Sequence, residues 1–120
     1  MKILIADDDR VIAQLAAAVV RDAGHTPLFA YDAMQTVMFA MRSPAPDMII
    51  LDINMPGGTG LEALRKLKMS AKTNHIPVVV LSGSIDQSLP AKVKELGADG
   101  FLTKPIDPDA LTEAIRTATA

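Results

Sequence analysis

Apolar residues along the chain switch period repeatedly, and the switches divide it into alternating short runs and helical stripes. The short runs are Lys2 to Ala6, Thr26 to Ala30, Met48 to Leu51, Pro77 to Leu81 and Asp99 to Thr103. Met48 to Leu51 is unbroken, and a run of that kind between turn formers fits a strand buried on both faces of a parallel sheet. Pro77 to Leu81 is the strongest strand signal, closed by Ser82-Gly83-Ser84.

Between the runs the spacing becomes helical. Ile12, Leu15, Ala16 and Val19 form the first stripe, with Asp9 as N-cap and Gly24 as stop. Asp32 caps a second helix with Gln35 bonding back, and Met34, Val37, Met38 and Met41 lie on one side of it, a pattern that suits core filling. That helix ends before Ser43-Pro44. Thr59 and Glu62 form a capping box for a third helix, with Leu61, Leu64 and Leu67 inward and Arg65, Lys66 and Lys68 on a wet outer face. Leu89, Val93 and Leu96 mark a short fourth helix ended by Gly97. Pro90 is tolerated only in a first turn, so Ser88 is the expected cap. The last helix begins at Asp107-Pro108 and carries Leu111, Ala114, Ile115 and Ala118.

Strands alternating with helices call for a parallel α/β sheet covered on both sides, with right-handed crossovers. The 120 residues suit one compact domain, residues 1–120. Lys and Arg number 12 against 14 Asp and Glu, which argues against direct nucleic-acid binding. Without Cys, disulfides and thiolate metal sites are excluded. No apolar run approaches the roughly 20 residues that span a bilayer, so the expectation is a cytoplasmic chain with no membrane association.

Chemistry gathers at the strand ends. The first strand runs into Asp7-Asp8-Asp9, the third into Asp52, the fourth into Ser82 and the fifth into Lys104. All these ends lie on the same edge of a parallel sheet, where open α/β folds bind ligands. Carboxylates converging there repel one another unless a cation joins them, and their oxygens suit a hard ion such as Mg²⁺. An Mg²⁺ site with few protein ligands expects phosphate oxygens, which Lys104 and Ser82 are suited to contact. Asp52 is then the candidate nucleophile. Taken singly, each motif has a plainer reading: a solvated turn at Asp7-Asp8-Asp9, a strand end at Ser82, a surface lysine at Lys104. His25 and His75 read as solvated loop residues.

The set Asp7-Asp8, Asp52 followed by Asn54-Met55-Pro56, Ser82-Gly83 and Lys104-Pro105 resembles the receiver domain of two-component response regulators, from Ile3 to Ala118. The resemblance implies a flavodoxin-like (βα)5 three-layer sandwich with strand order 2-1-3-4-5. It implies that Asp52 accepts a phosphoryl group from a sensor histidine kinase or histidine phosphotransfer protein. Asp8, Asp52 and the main-chain carbonyl of Asn54 would hold Mg²⁺, with Asp7 acting through water. Ser82 and Lys104 would contact phosphoryl oxygens, and Lys104-Pro105 would be a cis peptide. Ser82 and Phe101 would form a switch acting on a downstream protein target through the fourth helix, fifth strand and fifth helix, in a monomer or weak dimer. Phe101, lacking a hydroxyl, is expected to lie inward more readily than a tyrosine. Thr59 stands where most relatives have an acid, and Gly57-Gly58 should loosen the loop near Asp52. Neither Asn54 nor Ser84 supplies a base for hydrolytic water, so self-dephosphorylation should be slow. An aspartate-nucleophile phosphatase would need a general acid where Asn54 stands, and a degenerate adaptor would not need the intact Asp8, Asp52 and Lys104.

Overall fold

In a computed structural model, residues 1–55, 60–84 and 86–120 are described. The chain runs β1 (Lys2–Ala6), α1 (Arg10–Asp22), β2 (Thr26–Ala30), α2 (Ala33–Ala40), β3 (Met48–Asp52), α3 (Gly60–Met69), β4 (Val78–Ser82), α4 (Leu89–Glu95), β5 (Gly100–Thr103) and α5 (Pro108–Ala118). The strands form one parallel sheet in the order β2-β1-β3-β4-β5, as expected.

Strand side chains alternate between two cores because successive Cβ atoms point to opposite faces. Leu4, Ala6, Ile49, Leu51, Val78 and Val80 pack beneath α2, α3 and α4. Ile3, Ile5, Met48, Ile50, Val79 and Leu81 pack beneath α1 and α5. Every residue of β3 and β4 is buried, which explains why those two runs carry no polar residue before their last position.

Helix starts follow their caps. Asp9 accepts from the N–H groups of Val11 and Ile12, and Asp107 from that of Asp109. At α2 the box closes both ways: Asp32 Oδ1 accepts from Gln35 N–H at 2.7 Å, and Gln35 Oε1 from Tyr31 N–H at 2.9 Å. Gly24 and Gly97 follow α1 and α4 with φ of 88° and 103°, the left-handed conformation that ends a helix at glycine.

Four expectations are corrected. α1 buries Ala13, Ala16, Ala17, Val19 and Val20, while Leu15 is 55% exposed. α2 buries Ala33, Thr36 and Ala40, while Met34, Met38 and Met41 face outward. In both helices the bulky Ile, Leu and Val side chains of the sheet already fill the layer, so the closest approach selects small residues. Hydrophobicity alone selects the larger ones. Ser88 stands at the cap position of α4 without capping. Asp86 Oδ1 instead accepts from both the N–H and the hydroxyl of Ser88. Lys68 leaves the wet face of α3: its ammonium reaches the carbonyls of Asn74 and Ile76 and lies 3.2 Å from Asp99 Oδ2. The Thr59 cap and the Gly57-Gly58 loop lie outside the described residues. No helix among the described residues is long and apolar enough to cross a membrane.

Candidate functional site

The carboxyl edge of the sheet carries the site. Asp52 is the last residue of β3 and pairs in register with Leu81, so its side chain emerges one step below Ser82, the last residue of β4. Ser82 pairs with Thr103, which places Lys104 directly beyond the end of β5. Lys104 N–H donates to the Ser82 carbonyl at 2.8 Å, tying the two strand ends together. On the other side Asp7 follows β1, and its N–H donates to the Ala30 carbonyl at 3.0 Å.

Strand pairing alone therefore collects residues that lie far apart in sequence. Lys104 Nζ stands 3.0 Å from Asp7 Oδ2 and 3.4 Å from Asp52 Oδ1. Asp7 and Asp52 are 1% and 3% exposed, whereas Asp8 is exposed. Asp7 Oδ1 accepts from Asp9 N–H at 2.9 Å and Asp52 Oδ1 from Asn54 N–H at 3.2 Å, so the backbone after each strand holds its carboxylate. Burial pushes the Asp52 carboxyl above its ordinary range. The Asn54 N–H opposes that rise, the Asp7 charge adds to it, and Lys104 opposes it. For Lys104 burial acts downward, but the adjoining Asp7 and Asp52 carboxylates outweigh it and hold the ammonium protonated above its usual value.

One atom in this cluster is left over. Asp7 Oδ2 is buried and has no hydrogen-bond partner, although the Lys104 ammonium is 3.0 Å away. The single Lys104 ammonium meets two buried carboxylates while a third, Asp8, stands beside them, so negative charge at this edge exceeds what one lysine offsets and favours a further cation. Asp7, Asp8 and Asp52 each offer one oxygen, all within 4.8 Å of one another. Mg²⁺ holds oxygen ligands at about 2.1 Å and keeps several waters, so oxygens this close can share one ion, some directly and others through a bound water. The donor set is all oxygen and anionic, which suits a hard divalent ion.

Ser82 is fully buried, and its hydroxyl accepts from Ser84 N–H at 3.0 Å. Phe101 on β5 is partly buried and packs against the core beneath α2, α3 and α4. It lies between two cavities. One, of about 450 Å³, is lined by Ser82, Gly83, Ser84 and Lys104; the other, of about 340 Å³, by Pro90, Val93 and Lys94 of α4. The Lys104-Pro105 peptide is cis, and so is Ser43-Pro44 beyond the end of α2.

Sequence reasoning also missed the part played by Gly60. A Cβ there would lie 2.4 Å from the Asp52 carbonyl oxygen and 2.5 Å from Ile53 Cα, and Gly60 N–H donates to the Ile53 carbonyl at 2.8 Å. The start of α3 is thus pressed against the backbone that carries Asp52. In sequence Gly60 is one of three glycines soon after Asp52, and only the tertiary contact distinguishes it.

Residues 3–116 match the family described as "Response regulator receiver domain". The chain is 34% identical over 115 residues to the phosphate regulon transcriptional regulatory protein PhoB of Klebsiella pneumoniae, covering 96% of this chain and 50% of that protein. It thus spans about half the length of the PhoB proteins it matches. It is 34% identical over 119 residues to protein PilH of Pseudomonas aeruginosa, covering 99% and 98% of the two chains. Its fold superposes with a TM-score of 0.92 on a putative response regulator from Chloroflexus aurantiacus, at 26% identity and covering 98% and 96% of the two chains. With the sheet order and the acidic edge described above, these matches establish that the chain belongs to the response regulator receiver domain family. Receiver domains are signalling modules, not classical enzymes. They are phosphorylated on an aspartate with Mg²⁺ and interact with histidine kinases or phosphotransfer proteins and with downstream targets.

Proposed function

We propose that Asp52 is the phosphoacceptor of this receiver domain and that the chain promotes its own phosphorylation. The observation that carries the proposal is the placement of one buried lysine, Lys104, between the Asp7 and Asp52 carboxylates at the carboxyl edge of the sheet. Lys104 holds Asp52 in place while leaving it anionic, the state a nucleophile needs. In the transfer, an Asp52 oxygen forms the new P–O bond as the P–N bond of a phosphohistidine breaks, and the released imidazole keeps the bonding pair. Lys104 and the Ser82 hydroxyl are the donors within reach of the incoming phosphoryl oxygens. Asp8, Asp52 and the Asn54 carbonyl, with Asp7 through water, would hold Mg²⁺, whose charge would offset the negative charge collecting there.

The donor in this reading is a sensor histidine kinase or histidine phosphotransfer protein, acting in the cytoplasm. The readout is a switch: the Ser82 hydroxyl moves toward the phosphoryl group, and Phe101 shifts between the cavities on its two sides. The altered surface is α4, β5 and α5, and its occupant is a downstream protein. Self-dephosphorylation is slow, since neither Asn54 nor Ser84 is a base.

Incubation with a small phosphodonor such as acetyl phosphate tests the acceptor. One phosphoryl group per chain is expected, dependent on Mg²⁺ and absent in Asp52→Asn. Label that survives in that variant would reassign the acceptor; continuous phosphate release would point to a phosphatase, and no label at all to an adaptor.

A further inference from the structure

From Ala33 to Met41 the second helix and its C-cap carry no charged residue, although the helix lies at the surface. Met34, Met38 and Met41 recur there at spacings of four and three and are 65%, 53% and 40% exposed. Surface helices ordinarily place charge on that side. None of these methionines belongs to the cluster around Asp52. Charge appears only at the two ends, with Asp32 at the N-cap and Arg42 just past the C-cap. Asp32 and Arg42 have no ion-pair partner among the described residues. Arg42 instead lies over the Phe39 ring, 4.6 Å from its centre. Beside it a cleft of about 260 Å³ is lined by Leu4, Leu28, Phe39, Pro44 and Pro46.

We propose that this face of α2 is a self-association surface, occupied by α2 of a second copy in antiparallel orientation. The charge pattern selects that occupant. An antiparallel pair brings each Arg42 to the other copy's Asp32, twice over, with the methionine stripes between them. A parallel pair would set like charge beside like. A twofold contact uses the same patch on both chains, and a helix with opposite charges at its ends is self-complementary in that way. The antiparallel pairing also brings Met34 of the second copy level with the cleft beside Arg42, and an unbranched, flexible thioether suits an irregular apolar gap. The stripe offers on the order of 300 Å² per copy, well below the roughly 800 Å² per partner of a stable complex, so the association is weak and reversible.

Sedimentation equilibrium of the full chain at rising concentration reads the association directly. The mass should rise from 12.7 kDa towards twice that value between about 10 µM and about 1 mM. Met38→Lys should abolish the rise, and Arg42→Glu should weaken it roughly tenfold. Both positions are exposed, and an unchanged circular dichroism spectrum would show that each variant is folded. Because the chain has no cysteine, Met38→Cys places a single thiol near the middle of the contact. Under mild oxidation it should cross-link much faster than Val11→Cys, whose position is 71% exposed on α1, across the sheet. A mass that stays monomeric at about 1 mM would overturn the proposal. So would association unchanged in both variants, or equal cross-linking at positions 38 and 11.

Discussion

Gly60 and Asp52 show how tightly single residues are specified at this site. A methyl group at position 60 would enter the backbone around Asp52 and Ile53, where neither neighbour is the flexible end of a side chain. Gly60→Ala is therefore expected to destabilise the fold by about 1–3 kcal/mol, read from urea unfolding, and to slow phosphorylation by displacing Asp52. In its proposed role Asp52 sets function against stability. Burial raises its pKa above the reference value of 3.8, so the folded state binds this proton more tightly than the unfolded chain does. Stability from this group is present below the unfolded value and is lost as pH rises through the higher folded one. Lys104 stays protonated throughout that window, so its charge moderates the rise without adding a pH dependence of its own there. In metal chelator at pH 7–8, Asp52→Asn should melt about 2–6 °C higher than the wild type, and the difference should vanish or reverse near pH 3. An unchanged or lower melting temperature at neutral pH would contradict this account of the site.

Among the elements, α3 and β5 are joined by a polar tie at the edge of the sheet opposite Asp52. Asp99 Oδ2 accepts from Val78 N–H at 2.8 Å and meets the Lys68 ammonium, which also serves two carbonyls. The Lys68 stem lies against Gly97, the turn glycine after α4. One lysine thus fastens α3 to the starts of β4 and β5. Asp99→Ala leaves both Val78 N–H and the Lys68 ammonium short of an acceptor, and a loss of about 1–3 kcal/mol is expected in chemical denaturation. Exposed pairs behave differently. The Arg116–Glu113 contact on α5 is open to solvent on both sides, so its removal should be close to neutral.

For the molecule as a whole, a fold stabilised by two cores carries at one edge a cluster of charges that is incomplete without a cation. On the proposed assignment, Asp7, Asp8 and Asp52 would hold Mg²⁺ in the folded chain and offer no matching site in the unfolded one, so Mg²⁺ should raise the melting temperature with concentration. Thermal scans across an Mg²⁺ titration should show a rise for the wild type and a smaller one for Asp52→Asn. Equal responses would mean that the ion acts elsewhere.

Much of this was legible from residue order alone. Uninterrupted apolar runs fixed β3 and β4, because strands buried on both faces admit nothing else. Asp9, Asp32 and Asp107 announced their helices, because capping is a local bond between near neighbours. Asp7, Asp8, Asp52, Ser82 and Lys104 could be grouped in advance, since parallel strands bring all their carboxyl ends to one edge. What the sequence left undecided was which way a helix turns. α1 and α2 each offer two stripes, one large and one small, and the space left above the sheet's own side chains chose alanine over leucine and methionine. The same holds for Lys68 and Gly60, whose partners lie across the fold, at distances that no local pattern encodes.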